Sequence, residues 1–307
     1  MILVTGGDGF LGNHLVDYLN INNHEVVGTT RNKDVIKSNK NRLFIDFSQN
    51  IDEKKISDNC EIIIHTAGIS QKDCRNNQNI AESINTNSAI ELAKIALKKS
   101  IKKFIYLSTV HVYGQNLIGN ISEKSSLNPF DNYSMSKLNA EKELRKIFAD
   151  TEVNLIILRL SNIFGAPLNF STNIWHLIGP HLCNQVFRKK RMELFSNGNQ
   201  VRDFLGIQEF LKIVLKLVKN DFNKSNVIYN CGSGMPITIH NFAKLIKKRY
   251  FQIFSEEAEL ILGNDDSDKS DYNLNIEKLV SEVGIIPKKN LISEIDNFLK
   301  FISKHKS

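Results

Sequence analysis

Residues 5–12 read Thr-Gly-Gly-Asp-Gly-Phe-Leu-Gly, with Gly6, Gly9 and Gly12 three apart, directly after the short apolar run Ile2–Thr5. A turn this tight needs a residue free to take positive φ, and a pyrophosphate approaches backbone closely only where no Cβ intrudes. Behind the turn, Leu11, Leu15 and Leu19 repeat at helical spacing on one face. The start of that helix offers free N–H groups and the positive end of its dipole to an anion. The bland alternative is a glycine-rich turn that binds nothing. A strand before and a helix after are the context that favours nucleotide binding.

The same alternation runs through the first half of the chain. Residues 25–28, 43–46, 61–65 (with Ile62, Ile63 and Ile64 in a row), 103–108 and 154–159 read as strands. A helix carrying Ala89, Leu92, Ala93, Ala96 and Leu97, and another over 133–148, stand between them. Continuous apolar strands are covered on both faces, which implies a parallel sheet with right-handed crossovers. The expected fold class is α/β: a Rossmann doubly wound parallel sheet with a smaller C-terminal α/β substrate-binding lobe. Beyond residue 165 regularity drops. Residues 166–200 read as loops around one or two helices, followed by a helix over 207–219, a strand over 227–230 and helices over 238–250, 275–283 and 291–304. We expect a dinucleotide-binding domain over 1–165 with a return segment at about 205–232, and a substrate lobe from 166–204 and 233–307.

Several classes are excluded. The chain has 307 residues, of which 41% are hydrophobic, so it can bury a core without disulfides or metal. A net charge of +7 is modest for this length and falls short of a nucleic-acid signature. Cys60, Cys74, Cys183 and Cys231 form neither a Cys-x-x-Cys pair nor a zinc spacing, and a reducing cytoplasm fits them. His176, His181 and Cys183 lack a fourth ligand, and Asp265, Asp266 and Asp268 read as a solvated loop, so no metal site is expected. No apolar run reaches the roughly 18 residues of a membrane span, and the N-terminus has no signal-peptide pattern. The basic run 188–191 reads first as a solvated face and second as an attractor of an anionic nucleotide.

Two places carry chemistry. The second strand ends Thr29-Thr30-Arg31, with no carboxylate until Asp34. An acid there would bond the ribose 2′-hydroxyl of NAD, whereas Arg31 would pair with a 2′-phosphate, so NADP is favoured over NAD. Asp46 is either an adenine contact or a turn aspartate. Tyr133 and Lys137 lie four apart on one helix face, where a neighbouring ammonium is expected to lower the phenol pKa. Thr109 ends the fifth strand, at the carboxyl edge of the sheet where ligands bind in such folds.

Taken together, these motifs resemble the extended short-chain dehydrogenase/reductases, in the nucleotide-sugar epimerase/dehydratase branch of UDP-glucose/galactose 4-epimerase-like proteins. The resemblance rests on Thr5-Gly-Gly-Asp-Gly-Phe-Leu-Gly12, Ile64-His-Thr-Ala-Gly68, Asn85, Leu107-Ser-Thr-Val-His-Val-Tyr-Gly114, Tyr133-Ser-Met-Ser-Lys137, Arg159-Leu-Ser-Asn-Ile-Phe-Gly165 and Val201-Arg-Asp-Phe204. It implies a catalytic triad of Thr109, Tyr133 and Lys137. It implies cofactor contacts from the turn (Gly6, Gly9, Phe10, Leu11, Gly12), from Arg31, Asp46 and Phe47, and from Ala67, Asn85, Ser108 and Lys137. Thr109, His111, Asn162 and Arg202 would meet the substrate, the last two at its diphosphate, beneath a closing C-terminal lobe. Arg202 has a plainer alternative in a salt bridge to Asp203 or a neighbour.

Dehydratases of this branch follow the threonine with proton-transferring acids. Here Val110 and His111 stand there, which disfavours 4,6-dehydration; His111 either exchanges a proton or lines the pocket inertly. The expected enzyme is an NAD(P)-dependent nucleotide-sugar epimerase acting by transient oxidation of a hexose ring carbon, C4 above others. The alternatives are an NADPH-dependent reductase of a 4-keto nucleotide sugar and a redox-inert NADP-binding scaffold or sensor. The resemblance also implies a homodimer through a four-helix interface.

Overall fold

A computed structural model describes residues 1–38, 41–75, 77–220 and 226–305. The chain forms two compact units, Met1–Gly114 with Ser126–Arg159 and Leu215–Tyr229, and Gln115–Ser125 with Leu160–Val214 and Asn230–Ser307.

The first unit is built on a seven-stranded sheet. Its strands are β1 (Ile2–Thr5), β2 (Val26–Thr30), β3 (Arg42–Phe44), β4 (Ile62–His65), β5 (Lys103–Thr109), β6 (Asn154–Leu160) and β7 (Val227–Cys231), in the order β3-β2-β1-β4-β5-β6-β7. β1 pairs in parallel with β2 and β4, β2 with β3, and β4 with β5. Strand order reverses between β1 and β4, the switch point outside which ligands bind in such sheets. Every residue of β1 and β5 is buried, as unbroken apolar runs require. Leu3, Ile63, Phe104, Leu155 and Ile157 share one core with Leu92, Ala93 and Ala96 of the Ser88–Lys98 helix and Ala140 and Leu144 of the Asn132–Ile147 helix.

The strand ends differ slightly from expectation. β2 continues to Thr30, and β3 stops at Phe44, because Asp46 leaves the ladder to accept hydrogen bonds from Ser48 N (3.0 Å) and Oγ (2.8 Å). β5 runs on through Thr109, whose hydroxyl oxygen accepts from His111 N at 3.2 Å and so caps the 3₁₀ turn Val110–Tyr113.

The second unit holds more strand than the sequence pattern suggests. Seven short strands lie outside the large sheet among the described residues. Val201–Gly206 pairs with Asn162–Phe164 in parallel and with Pro236–Thr238 antiparallel; Arg191–Ser196 pairs with Glu259–Asp265, and Ile118–Ile121 with Asp271–Leu274. The expected helices are present, Thr238 capping Ile239–Phe254 by accepting from Asn241 N at 3.1 Å. Trp175 packs on Phe170 (4.7 Å between ring centroids) and Phe298.

Among the described residues no His, Cys, Asp and Glu cluster could hold a metal ion, no helix is long and apolar enough to cross a membrane, and the four cysteines are free and buried.

Candidate active site

The glycine turn is shaped by close approach. Gly6 sits at φ +65°, and a Cβ there would meet the Ala67 backbone at 3.0 Å; at Gly12 it would fall 2.1 Å from the Gly6 carbonyl oxygen. Gly9 N donates to Gly6 O at 2.9 Å and Gly9 caps the Phe10–Ile21 helix without any side-chain hydrogen bond. No acidic residue occupies the first turn of that helix. Its leading amides thus lack the side-chain acceptor that usually satisfies them, and they suit the pyrophosphate of a dinucleotide. The residues present fit that group.

Thr5 fixes the opposite lip. Its Oγ1 accepts from Thr66 N and Ala67 N, each at 3.0 Å, so its own proton goes to His65 Nδ1 at 2.8 Å. His65 is fully buried among Phe47, Phe104 and Tyr106, and desolvation lowers its pKa to about 3. Phe47 is therefore a core residue packed on His65, and Ala67 is held by its own amide.

Asn85 lies in a π-helical turn, Glu82–Asn87, and is buried. Its Oδ1 accepts from Ile69 N at 2.9 Å and its Nδ2 donates to Ser136 Oγ at 3.0 Å, joining the loop after β4 to the helix of Tyr133 and Lys137. A Cβ on Gly68 would lie 2.8 Å from Asn85 Oδ1 and 3.4 Å from Lys137 Nζ, so these three groups are close-packed.

The catalytic candidates meet where β5 ends beside the Asn132–Ile147 helix. That helix starts sharply because Asp131 and Ser134 form a capping box, Asp131 accepting from Ser134 N at 2.8 Å. The Thr109 hydroxyl stands close enough to the Tyr133 phenol to pull its pKa down. One turn on, buried Lys137 donates to Leu107 O at 3.1 Å and stands 5.0 Å from the Tyr106 ring centroid. The His111 ring lies edge-on to Tyr133 (6.4 Å) and Phe130 (5.8 Å). Thr109, His111, Tyr133 and Lys137 are thus gathered in one place.

The electrostatics correct one expectation. Desolvation pushes the Tyr133 phenol up to about 12, the Thr109 hydroxyl is what pulls against it, and Lys137 is not among the groups that move it. Its ammonium is turned to the Leu107 carbonyl, and desolvation brings Lys137 itself down to about 8. In this structure the group poised near neutral pH is the lysine.

Behind the triad lies a buried pair that sequence reading misses. Glu141, on the helix of Tyr133 and Lys137, accepts from Arg159 Nε (3.1 Å) and Nη2 (2.7 Å) and from Ser108 Oγ. Arg159 Nη1 donates to Tyr113 Oη at 3.0 Å. The hydroxyl of Ser108, expected among the cofactor contacts, is thus committed to Glu141.

At the end of β2, Arg31 is exposed and is one of the groups that hold the Asp46 carboxyl below its usual range, after the hydrogen bonds from Ser48. Asp8, inside the glycine turn, accepts a hydrogen bond from Thr30 and pairs with Arg42 Nε at 3.4 Å. Sequence reading singles out neither Asp8 nor Arg42, although Asp8 sits within the motif itself.

The second unit brings Asn162 and Arg202 onto neighbouring strands, Asn162 opposite Phe204. Asn162 Nδ2 donates to Asp203 O at 3.0 Å; Arg202 pairs with Asp268 and donates to Val201 O at 2.8 Å. Its partner is not Asp203, which instead accepts from Ser233 N (2.8 Å), Ser233 Oγ (2.8 Å) and Met235 N (3.2 Å).

A sequence profile of the NAD dependent epimerase/dehydratase family matches residues 2–232. The chain belongs to this family. It is similar to a putative UDP-glucose 4-epimerase of Methanocaldococcus jannaschii, 30% identical over 80% of this chain and 81% of that one. An ADP-L-glycero-D-manno-heptose-6-epimerase of Brachyspira hyodysenteriae is 29% identical over 81% of each. In fold it matches the UDP-glucuronic acid 4-epimerase of Bacillus cereus, solved with UDP-glucuronic acid and NAD, at a TM-score of 0.84 and 21% identity over 99% of both chains.

Proposed function

We propose that this enzyme epimerises a nucleotide-linked hexose by transient oxidation of a ring carbon, C4 above others. The observation that carries the reading is the gathering of Thr109, His111 and Tyr133, with buried Lys137 one helical turn on, in the unit that holds the glycine turn. Bound at that turn, a nicotinamide dinucleotide supplies a hydride acceptor that can return what it takes. Gly6, Gly9, Gly12 and the leading amides of Phe10 and Leu11 hold its pyrophosphate, and Asn85 and Lys137 border the same loop.

Tyr133 then moves the proton of the sugar hydroxyl, with Thr109 orienting that hydroxyl. A base near 12 is too strong to stay ionised in neutral water, so the phenolate needs a cation beside it while it works, and Lys137, one helical turn on, would supply it by turning from Leu107 O. In the second unit Asn162 and Arg202 are the proposed diphosphate contacts, with Arg202 leaving Asp268 for the ligand. Val110 has no exchangeable side-chain proton and is buried, so 4,6-dehydration is disfavoured. The named epimerases among the relatives support the substrate class, and the four buried thiols fit a reducing cytoplasm. Met135 and Ile80, exposed at 46% and 44%, give the first unit an apolar surface consistent with the homodimer that the family resemblance implies.

The test is incubation of the purified protein with UDP-glucose, UDP-N-acetylglucosamine and UDP-glucuronic acid, with the products read by proton NMR. Appearance of a 4-epimer without net consumption of nucleotide cofactor supports the reading. Stoichiometric NADPH consumption with a 4-keto nucleotide sugar, and no epimer, replaces it with the reductase; no turnover of any kind leaves the scaffold.

A further inference from the structure

β2 ends without a carboxylate of its own, yet the structure puts one there. Asp8, the residue before Gly9, accepts a hydrogen bond from Thr30, the last residue of β2. Its second oxygen faces Arg42 Nε at 3.4 Å. Arg42 is turned into the fold: Nη2 donates to Asn13 Oδ1 at 2.8 Å and to Gly7 O at 3.3 Å, Nε and Nη1 make no hydrogen bond, and its side chain is 7% exposed. Asp8, by contrast, is 44% exposed. The guanidinium is thus turned inward as a support, and the carboxylate stands at the surface of the turn.

The other cation of this corner is balanced too. Arg31 lies near enough to Asp46 to help hold its carboxyl below the usual range, and Arg42 pairs with Asp8. Lys33 lies over the Phe44 ring at 5.4 Å, next in sequence to Asp34. Both arginines of this corner have an acid near them, and Lys55 joins Lys33 over the Phe44 ring at 5.3 Å. A 2′-phosphate brings about −1.5 to −2 charges and needs surplus positive charge to offset their desolvation. A ribose diol instead offers two neutral O–H donors, which suit an acceptor-only carboxylate.

We infer that Asp8 makes this chain select NAD over NADP, the turn supplying the ribose-facing acid that β2 lacks. This reverses the preference that Arg31 alone predicts, and it rests on the proposed function in requiring that a dinucleotide binds at the glycine turn.

Nucleotide-free full-length protein is titrated with NADH and with NADPH, following nicotinamide fluorescence, for the wild type and for Asp8→Asn, Asp8→Glu and Arg31→Ala. The wild type binds NADH at least tenfold tighter than NADPH. Asp8→Asn narrows that ratio to threefold or less by strengthening NADPH binding, Asp8→Glu keeps it, and Arg31→Ala changes it by less than threefold. A wild type that prefers NADPH, or an Asp8→Asn ratio equal to the wild-type one, overturns the inference while leaving the enzyme reading intact. Binding of neither nucleotide overturns both. Thermal melts show whether each variant is folded, and should Asp8→Asn not be, the wild-type ratio together with Asp8→Glu decides.

Discussion

Glu141 and Arg159 form an ion pair from which water is excluded, their side chains 2% and 3% exposed. Glu141 stands four residues beyond Lys137 and eight beyond Tyr133, so all three share one helix face. Through Ser108 and Tyr113 the pair grips both ends of the segment that carries Thr109 and His111. It is thus placed to fix the spacing between the phenol and the threonine. Removing one partner of such a pair strands a buried charge at a cost of about 3–5 kcal/mol. Glu141→Gln should lower Tm by on the order of 10 °C. Ser108→Ala, which spares the ion pair, should lower kcat roughly tenfold with KM and nucleotide affinity little changed. Full activity in Ser108→Ala would show that the clamp is structural only.

Tyr133→Phe should reduce kcat by about 10³-fold while still binding dinucleotide, since the lost group moves a proton and does not grip the cofactor. Lys137→Met should weaken nucleotide binding as well. With Lys137 near 8 and its charged form the active one, kcat/KM should fall as pH rises through about 8. A profile flat to pH 10 would exclude Lys137 as the titrating group.

The large sheet was legible because β1, β4, β5 and β6 carry dense apolar runs and the helices after β1 and before β5 and β6 show helical spacing. The seven short strands of the second unit were not. Ile118–Ile121 reads Ile-Gly-Asn-Ile, and its partner Asp271–Leu274 lies some 150 residues on, so neither local pattern nor length marks them. Tyr133, Lys137 and Thr109 were recognisable by type and spacing, but their protonation was not. Sequence shows that an ammonium is four residues away; it does not show that desolvation outweighs it or that the ammonium turns to Leu107. Glu141 carries no motif and Arg159 only opens one, so their pairing is visible only once the fold faces them. Asp8 is easily overlooked because the glycines around it claim the motif.

Gly12→Ala should abolish dinucleotide binding and destabilise the fold, because the new methyl would sit 2.1 Å from Gly6 O, a backbone atom that cannot move without opening the turn. At Gly9 the same methyl would meet Gly6 O at 3.2 Å, a contact a small shift relieves. Gly9→Ala should therefore keep most of its stability and lose affinity through the narrowed approach to the amides. Thermal melts with and without NADH separate the two, and equal melting points for both variants would count against this account of the turn.

Glu294 supplies the pH test of stability. It is 2% exposed, and desolvation together with nearby Glu209 raises its carboxyl to about 7, against the hydrogen bond it accepts from Gln208 N at 3.1 Å. A carboxyl with a raised folded pKa binds its proton more tightly folded than unfolded. Its contribution is therefore whole below the unfolded value of 4.5 and is lost as pH climbs to about 7. Above that, the buried charge costs on the order of 3 kcal/mol. Glu294→Gln keeps the acceptor and removes the charge, so it should raise stability at pH 8 by about that amount and leave stability at pH 4.5 nearly unchanged. Urea unfolding of the two proteins at both pH values reads the difference directly. A gain of equal size at both would mean that packing, not ionisation, sets the energy of this site.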